Sequence, residues 1–233
     1  MWGYFRALTL IGAAMVAAPA LAKAPDPAAC PRPVAADGGE RQRTRPLPVP
    51  AALAGVLRAS VLHYAVTARD GSTLCIDTSW MESADKIALS ADGRFLSFDW
   101  LGYESFGHKL VDRSGKGQVV DTGVPPVFSP SRMRLAAADL SESGYGALGA
   151  FAVWQVMPTG LRQIANVTQV PDMLDWRIDG WAGDTCVKLS AFPFDKAPAD
   201  GDYAKVPRTR FIARPVRGTW RIDPAARGRC PGA

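Results

Sequence analysis

Between residues 66 and 222 the chain alternates short apolar runs with turn-forming residues. The runs are four to eight residues long, and glycine, proline and aspartate separate them. Apolar runs of this length, bounded by turn residues, predict β-strands, and no long helical stripe interrupts them. The pattern therefore predicts one antiparallel all-β domain over residues 51–225. Clear strands are expected at residues 95–98, 109–112, 135–138, 151–156 and 186–189.

The start of this domain fits two patterns. Leu53, Val56 and Leu57 have the spacing of one helical face, whereas residues 61–66, VLHYAV, could equally start a strand. We expect a short helix followed by a strand.

Two stretches share one pattern, TARDGSTLCID at residues 67–77 and LSADGRFLSFD at residues 89–99. Each has an Asp-Gly pair and a second aspartate, Asp77 or Asp99, seven residues after the first. Along an extended strand this spacing separates the carboxylates by more than about 20 Å, which is too far to share a calcium ion. Asp-Gly between apolar runs is typical of a hairpin turn, because glycine adopts positive φ readily. We expect structural turns here and no metal site.

A third stretch, VFSPSRMRLAA at residues 127–137, aligns with the second when Ser129 is placed on Ser90, 39 residues earlier. An apolar strand that contains Trp154 follows it. This order of turns and strands, at a period near 40 residues, resembles TolB-like and WD40-like β-propeller repeats over about residues 85–192. WRIDGWAGDTCVKLSA, at residues 176–191, resembles a more divergent copy.

The resemblance implies a propeller-like repeat or a partial propeller. A closed propeller needs at least four blades, or roughly 160 residues, and residues 56–222 just supply that length. However, Ser131-Arg132 stand where the repeat has Asp-Gly, and the first two Asp-Gly turns are 22 residues apart. A β-sandwich of two stacked meander sheets is the alternative fold.

The first 22 residues have the features of a signal peptide. Arg6 precedes an apolar run at residues 7–18, and the sequence Ala-Leu-Ala at residues 20–22 is a typical cleavage site. The run is shorter than the roughly 20 residues of a membrane helix. We therefore expect a periplasmic or secreted protein with no membrane span after cleavage. Residues 23–50 are rich in proline and predict a flexible, disordered lead, and residues 226–233 predict a C-terminal tail.

Four cysteines are present, Cys30, Cys75, Cys186 and Cys230. An even number in an exported chain predicts two disulfides, and no C-x-x-C motif indicates zinc or redox chemistry. Cys30 and Cys230 both lie in terminal segments, and the other two lie in strand-like runs. Like environments favour the pairs Cys30–Cys230 and Cys75–Cys186. The sequential pairing, Cys30–Cys75 with Cys186–Cys230, remains the alternative.

The charge pattern gives little indication of a nucleic-acid partner. The formal net charge is +5, and the basic residues are scattered along the chain. Nucleic-acid binding favours a basic face interleaved with aromatic residues. We expect no nucleic-acid partner and no cofactor.

The most enzyme-like segment contains Glu104, Ser105 and His108. It does not match the G-x-S-x-G motif of a nucleophile elbow. A serine and a histidine three residues apart meet only in a turn or helix, so the segment is interpreted as a polar loop. A periplasmic hydrolase that uses these three residues is the alternative function.

Two regions are candidate binding surfaces. Residues 139–149 form a Gly- and Ser-rich insertion that contains Glu142 and Tyr145, and long loops on a β scaffold often bind partners. Trp176, Arg177 and Trp181 form a second cluster, and both residue types are enriched at interaction hot spots. We therefore expect an exported, non-enzymatic protein of the bacterial envelope that binds a protein partner in an inhibitor, immunity or scaffolding role.

Overall fold

The computed structural model describes residues 24–33, 43–140, 148–198 and 202–230 of the 233-residue chain. These residues form four antiparallel sheets, here named A to D in chain order. Sheet A contains β1 (Leu57–Ala59), β2 (His63–Thr67) and β3 (Thr73–Asp77). Sheet B contains β4 (Met81–Leu89), β5 (Phe95–Gly102), β6 (Ser105–Asp112) and β7 (Gln118–Asp121).

Sheet C contains β8 (Val127–Phe128), β9 (Arg134–Leu140), β10 (Gly149–Met157) and β11 (Gly160–Val167). Sheet D contains β12 (Met173–Ala182), β13 (Cys186–Pro193), β14 (Thr209–Val216) and β15 (Thr219–Pro224). Short 3-10 helices lie at Pro27–Ala29, Ala51–Leu53, Phe194–Lys196 and Tyr203–Lys205. Within the described ranges no helix is long and apolar enough to cross a membrane.

Each sheet is an open meander in which every strand pairs with the next strand along the chain. The predicted all-β antiparallel class is therefore confirmed, and the five expected strands fall within β5, β6, β9, β10 and β13. The arrangement is compatible with a partial propeller and with stacked, sandwich-like sheets. The region at residues 51–66 contains a single 3-10 turn followed by β1 and the start of β2.

The hydrophobic core lies between successive sheets. One cluster of buried side chains joins sheets A and B, a second joins B and C, and a third joins C and D. A ring contact crosses each boundary, with centroid distances of 5.3 Å for Tyr64–Phe98, 5.2 Å for Phe95–Phe128 and 6.2 Å for Phe151–Trp220. Truncating a fully buried ring such as Phe98 to alanine typically costs about 3–5 kcal/mol. Burial between the sheets is thus what holds the stack together.

The repeated turns of sheets B and C have the same hydrogen bonds. Ser90 N donates to Phe95 O at 2.7 Å, and Phe95 N donates to the Ser90 hydroxyl at 2.8 Å. In sheet C, Ser129 N donates to Arg134 O at 2.9 Å, and Arg134 N donates to the Ser129 hydroxyl at 3.2 Å. The alignment of Ser129 on Ser90 therefore holds at the level of the backbone.

The same comparison explains why Ser-Arg replaces Asp-Gly in the third stretch. Arg94 N donates to the Asp92 carboxylate at 3.0 Å, and Met133 N donates to the Ser131 hydroxyl at 3.1 Å. Serine and aspartate side chains both close such turns. Arg132 accepts the positive φ, 59°, that a glycine adopts in sheet B.

Hairpin turns from neighbouring sheets contact one another at one end of the molecule, here called the turn end. Arg69 N donates to Arg113 O at 2.6 Å and joins sheet A to sheet B. Arg94 donates to Met157 O at 2.5 Å and joins B to C. Arg134 donates to Asp184 O at 2.8 Å and joins C to D. The opposite end, here called the loop end, carries the β5–β6 turn, the C-terminal ends of β9 and β13 and the 3-10 helices at Phe194–Lys196 and Tyr203–Lys205.

The disulfides correct one prediction. The structure pairs Cys30 with Cys75 and Cys186 with Cys230, each with a Cα–Cα distance of 5.6 Å. The expected pairs Cys30–Cys230 and Cys75–Cys186 are therefore wrong, and the sequential alternative is correct. Cys75 lies in sheet A and Cys186 lies in sheet D, so the packed sheets B and C separate them. A disulfide requires Cα atoms within about 7 Å.

Part of the proline-rich lead is packed rather than flexible. Leu47 is buried in the cluster between sheets A and B, and the Tyr64 hydroxyl donates to Pro48 O at 2.7 Å. Arg43 donates to Val61 O at 3.0 Å. Residues 43–50 thus lie against sheet A. The predicted signal peptide, residues 1–22, lies outside the described residues.

Candidate functional site

The predicted tryptophan cluster is mostly inside the molecule. Trp176 is 7% exposed and packs against Phe211 with the ring centroids 4.8 Å apart. Trp181 donates its indole N–H to Val127 O at 3.0 Å, which fastens sheet D to sheet C. Trp176 is therefore a core residue, which corrects its assignment to an interaction surface. Its position in β12 directs it towards the sheet C side, and large aromatic rings stabilise most when they are buried.

Only Arg177 of that cluster is well exposed. Its guanidinium pairs with the Asp175 carboxylate at 2.6 Å. Asp175 has a φ of +50° at a bulge in β12, and this bulge turns Arg177 away from the core. Glu142 and Tyr145 of the Gly- and Ser-rich insertion lie outside the described residues.

The enzyme-like residues are not brought together. Glu104 lies in the β5–β6 turn, and Ser105 and His108 both lie in β6. Residues three apart in a strand point to opposite faces of the sheet, because the side-chain period is two. The loop that was predicted to contain His108 is a strand. The serine and the histidine therefore do not form a nucleophile–base pair.

His108 instead pairs with an acid that the sequence reasoning did not connect to it. Its Nδ1 lies 2.5 Å from the Asp99 carboxylate, and Lys86 Nζ lies 2.9 Å from the other oxygen of that carboxylate. Asp99 and His108 are direct cross-strand partners in β5 and β6. A hairpin centred on Tyr103 and Glu104 would have predicted this register. The sequence therefore contained enough information to pair Asp99 with His108, but the position of the turn was not recognised.

The Asp99 carboxyl is held in its ionised form. Burial is the largest single influence and opposes ionisation, but the hydrogen bonds from His108 and Lys86 together outweigh it and lower the pKa of Asp99. His108 is 4% exposed, and its Nε2 has no hydrogen-bond partner among the described residues. The ion-paired group of Lys86, Asp99 and His108 joins β4, β5 and β6 on one face of sheet B.

A second partly buried carboxyl lies on the neighbouring sheet C. Asp139 is in β9, and its Oδ2 has no hydrogen-bond partner within the described residues. Burial raises the pKa of Asp139. Gly123 lies against it, and a Cβ at Gly123 would be 2.2 Å from that oxygen. No group of ligands able to hold a metal ion occurs in the described ranges.

Among the described residues, three exposed large apolar side chains lie together at the tip of the β5–β6 hairpin. Leu101 is 51% exposed, Tyr103 71% and Phe106 49%. Leu101 and Phe106 are direct cross-strand partners, so their side chains lie next to each other on one face. These three residues are here named the hairpin tip. The interpretation of this segment as a polar loop missed the hairpin tip. Its three apolar residues alternate in the sequence with two glycines, a glutamate and a serine, so the segment lacks a continuous apolar run.

The opposite face of the same hairpin is tightly packed. A Cβ at Gly107 would be 2.8 Å from the Trp100 ring, and a Cβ at Gly102 would be 3.3 Å from the Trp80 ring. Trp80 and Trp100 contact each other edge to face, with their centroids 4.6 Å apart. The two glycines let the backbone lie directly on these rings. The hairpin is therefore packed on one face, while Leu101 and Phe106 are exposed on the other.

Further aromatic residues lie at the loop end of sheet D. Phe194 is 63% exposed, and Tyr203, 38% exposed, stacks on Phe192 at 5.4 Å. Exposed aromatic residues are thus found at the loop end of two sheets. The chain matches no protein-family model, and no curated protein matches it. The candidate site therefore depends on the geometry of the hairpin tip.

Proposed function

We propose that this chain is a non-enzymatic binding protein of the bacterial envelope, and that it holds a protein partner through the hairpin tip. The observation that carries the proposal is the exposure of Leu101, Tyr103 and Phe106 on one rigid hairpin. Monomeric proteins seldom present adjacent large apolar side chains to water without a use for them. A protein interface is the ordinary use.

The energetics favour such an interface. Burying the exposed part of each of the three side chains contributes about 1–2 kcal/mol. Tyrosine and other aromatic residues are enriched among the residues that dominate binding energy. The packing of Gly102 and Gly107 on the tryptophans orders the hairpin before the partner arrives. Little conformational entropy is then lost on binding.

The envelope location rests on two features. Two disulfides are typical of a protein from an oxidising compartment. The apolar leader at residues 1–22 favours export, and a periplasmic or secreted location follows from it. The proposed propeller-like repeat favours a scaffolding role by fold analogy, whereas an inhibitor or immunity role would use the same surface.

The test compares a hairpin variant with a matched control. In the variant, Leu101, Tyr103 and Phe106 are all changed to serine. In the control, Met133→Ser removes an apolar side chain that is 54% exposed at the turn end. Both proteins and the wild type are used as bait in envelope extract at mild salt, and a photo-crosslinker at position 104, which none of the substitutions changes, identifies what touches the tip.

We expect the wild type and the Met133→Ser control to retain one partner that crosslinks at position 104, and the hairpin variant to lose it. Thermal melting should be similar for all three proteins, because the changed side chains are exposed. A hairpin variant that retains the same partner as the wild type would refute the proposal. A wild-type protein that crosslinks to nothing would refute it equally.

A further inference from the structure

The outer face of sheet D contains a cavity that the proposed binding function does not use. Its volume is about 720 Å³, and it lies between β13, β14 and the C-terminal residues 225–230. Ligand sites typically have volumes of about 300–1,000 Å³. The cavity is here named the tail cleft. Its charged lining residues are Asp179, Lys188, Arg208, Arg210 and Arg229.

Four positive charges and one negative charge line this cavity, which leaves an excess of three positive charges. Arg208 is already engaged, because it donates to the Asp175 carboxylate at 2.7 Å and to the Ser190 hydroxyl at 2.9 Å. Asp179 accepts a hydrogen bond from that hydroxyl at 2.8 Å. The acid and one arginine therefore serve to hold the wall of the cleft.

The other three cations have no such partner. Within the described part of the chain, Lys188, Arg210 and Arg229 take part in no ion pair and no hydrogen bond of their side chains. Lys188 pairs across the sheet with Ile212, and Arg210 pairs with Ser190, so the two cations lie diagonally on adjacent strands. Two positive charges at neighbouring positions on one face repel each other, and an anion bound between them would offset that repulsion.

The C-terminal residues complete the cleft. Cys230 is bonded to Cys186 and places Arg229 over the sheet. Gly228 lies directly on Ile212, where a Cβ would be only 2.7 Å from the isoleucine Cδ1. The floor is apolar, since Ile212 and Cys230 are buried. A basic rim above an apolar floor fits a ligand with an anionic group attached to a carbon skeleton.

We propose that the tail cleft binds a phosphate-bearing ligand through Lys188, Arg210 and Arg229. Two guanidinium groups can each donate paired N–H bonds to phosphate oxygens, and the lysine adds a third positive charge. The cavity is larger than one phosphate requires, so an organic phosphate or the headgroup of a phospholipid fits it. The ligand lies on sheet D and the protein partner lies on sheet B, so the two sites are separate.

The experiment uses inorganic pyrophosphate as the soluble probe and vesicles as the lipid probe. The test variant changes Lys188, Arg210 and Arg229 to glutamine. The matched control changes three exposed cations elsewhere, Arg58, Arg162 and Arg217, to glutamine. It therefore has the same net charge as the test variant. Binding of pyrophosphate is measured by calorimetry, and vesicles of phosphatidylglycerol are compared with vesicles of phosphatidylcholine by sedimentation.

We expect the wild type and the control to bind pyrophosphate or phosphatidylglycerol vesicles, and the test variant to lose at least tenfold in affinity. Pyrophosphate binding assigns the cleft to soluble phosphates, and vesicle binding alone assigns it to lipid headgroups. Equal binding by the test variant and the control would overturn the proposal, because only net charge would then matter. Absence of binding to both probes by the wild type would also overturn it. The hairpin variant should bind these probes normally, so each proposal fails or succeeds independently.

Discussion

At the residue scale, two partly buried aspartates on neighbouring sheets, Asp99 and Asp139, have opposite surroundings. Asp99 is hydrogen-bonded to His108 and Lys86, and its pKa is lowered. Asp139 has an unpartnered oxygen among the described residues, and burial raises its pKa. A group with a raised pKa binds its proton more tightly in the folded state than in the unfolded state. Its contribution to stability is therefore complete at low pH and declines as the pH rises.

Asp139→Asn should raise the free energy of unfolding at pH 7. The wild-type carboxyl must ionise in a buried place as the pH rises from its ordinary pKa of 3.8 through its raised folded value, whereas the amide never ionises. The difference in the free energy of unfolding between the variant and the wild type should therefore disappear below pH 3.8. Urea denaturation at a series of pH values measures it. A variant that is less stable than the wild type at pH 7 would show that the ionised carboxylate is needed there.

Asp99→Asn serves as the control with the opposite sign. The pKa of Asp99 is lowered in the folded state, so its contribution to stability is complete above 3.8 and is lost as the pH falls through the folded value. The Asn variant should be less stable than the wild type at pH 7, and the difference should shrink in acid. Identical pH profiles for the two Asn variants would contradict the assignment of both sites.

At the element scale, the stack depends on side chains that leave one sheet and bind the next. Arg94, in the sheet B turn, donates to both oxygens of Asp112 at 2.9 and 2.7 Å and also to Met157 O in sheet C. Asp112 is fully buried. The arginine thus neutralises a buried carboxylate and supplies a donor to a backbone carbonyl of the neighbouring sheet. Removing it leaves both acceptors without this partner.

Arg94→Met should lower the free energy of unfolding by about 3–5 kcal/mol, the usual cost of breaking a buried ion pair. Chemical denaturation measures the change. Arg162→Met is the control, since Arg162 is an exposed residue of sheet C whose hydrogen-bond partner among the described residues is Gln155. This variant should stay within about 0.5 kcal/mol of the wild type. A loss of similar size in both variants would mean that Arg94 is no more than a surface residue.

The sequence predicted the elements well because strands and hairpin turns are encoded locally. The strand at residues 95–98 and the match of Ser129 to Ser90 needed only the alternation of apolar runs and turn residues. Contacts between distant elements were not encoded in that way. The pairing of Cys75 was wrong because it depends on the order in which sheets stack, and that order is absent from local patterns.

The candidate site was predicted less well than the fold. Trp176 and Phe106 are both large aromatic residues in strands, yet one is buried and the other is exposed. Which face of a strand meets another sheet depends on register and bulges, such as the bulge at Asp175 in β12. At the β5–β6 tip, Leu101 and Phe106 lie on the strand face opposite to the one that packs on Trp80, which again depends on register. Neither can be derived from residue types alone.

At the scale of the whole molecule, each disulfide fastens one terminal segment onto one outer sheet. Cys30–Cys75 holds the N-terminal segment on sheet A, and Cys186–Cys230 holds the C-terminal tail on sheet D. Their sequence separations are 45 and 44 residues, so the chain-entropy model gives each about 4 kcal/mol of stabilisation. The two bonds are therefore comparable in stability but differ in what they position. Only the second lies at the tail cleft.

Changing both cysteines of one pair to serine should separate these roles. The Cys186→Ser/Cys230→Ser variant and the Cys30→Ser/Cys75→Ser variant should lose stability to a similar extent, as measured by denaturant midpoints. Only the first should also lose affinity for the phosphate probe, because Arg229 is no longer held over sheet D. The interaction of the hairpin tip should persist in both, since its tryptophan support lies in sheet B. Equal loss of phosphate binding in both variants would show that the cleft responds to overall stability and that the C-terminal tail does not position its cations.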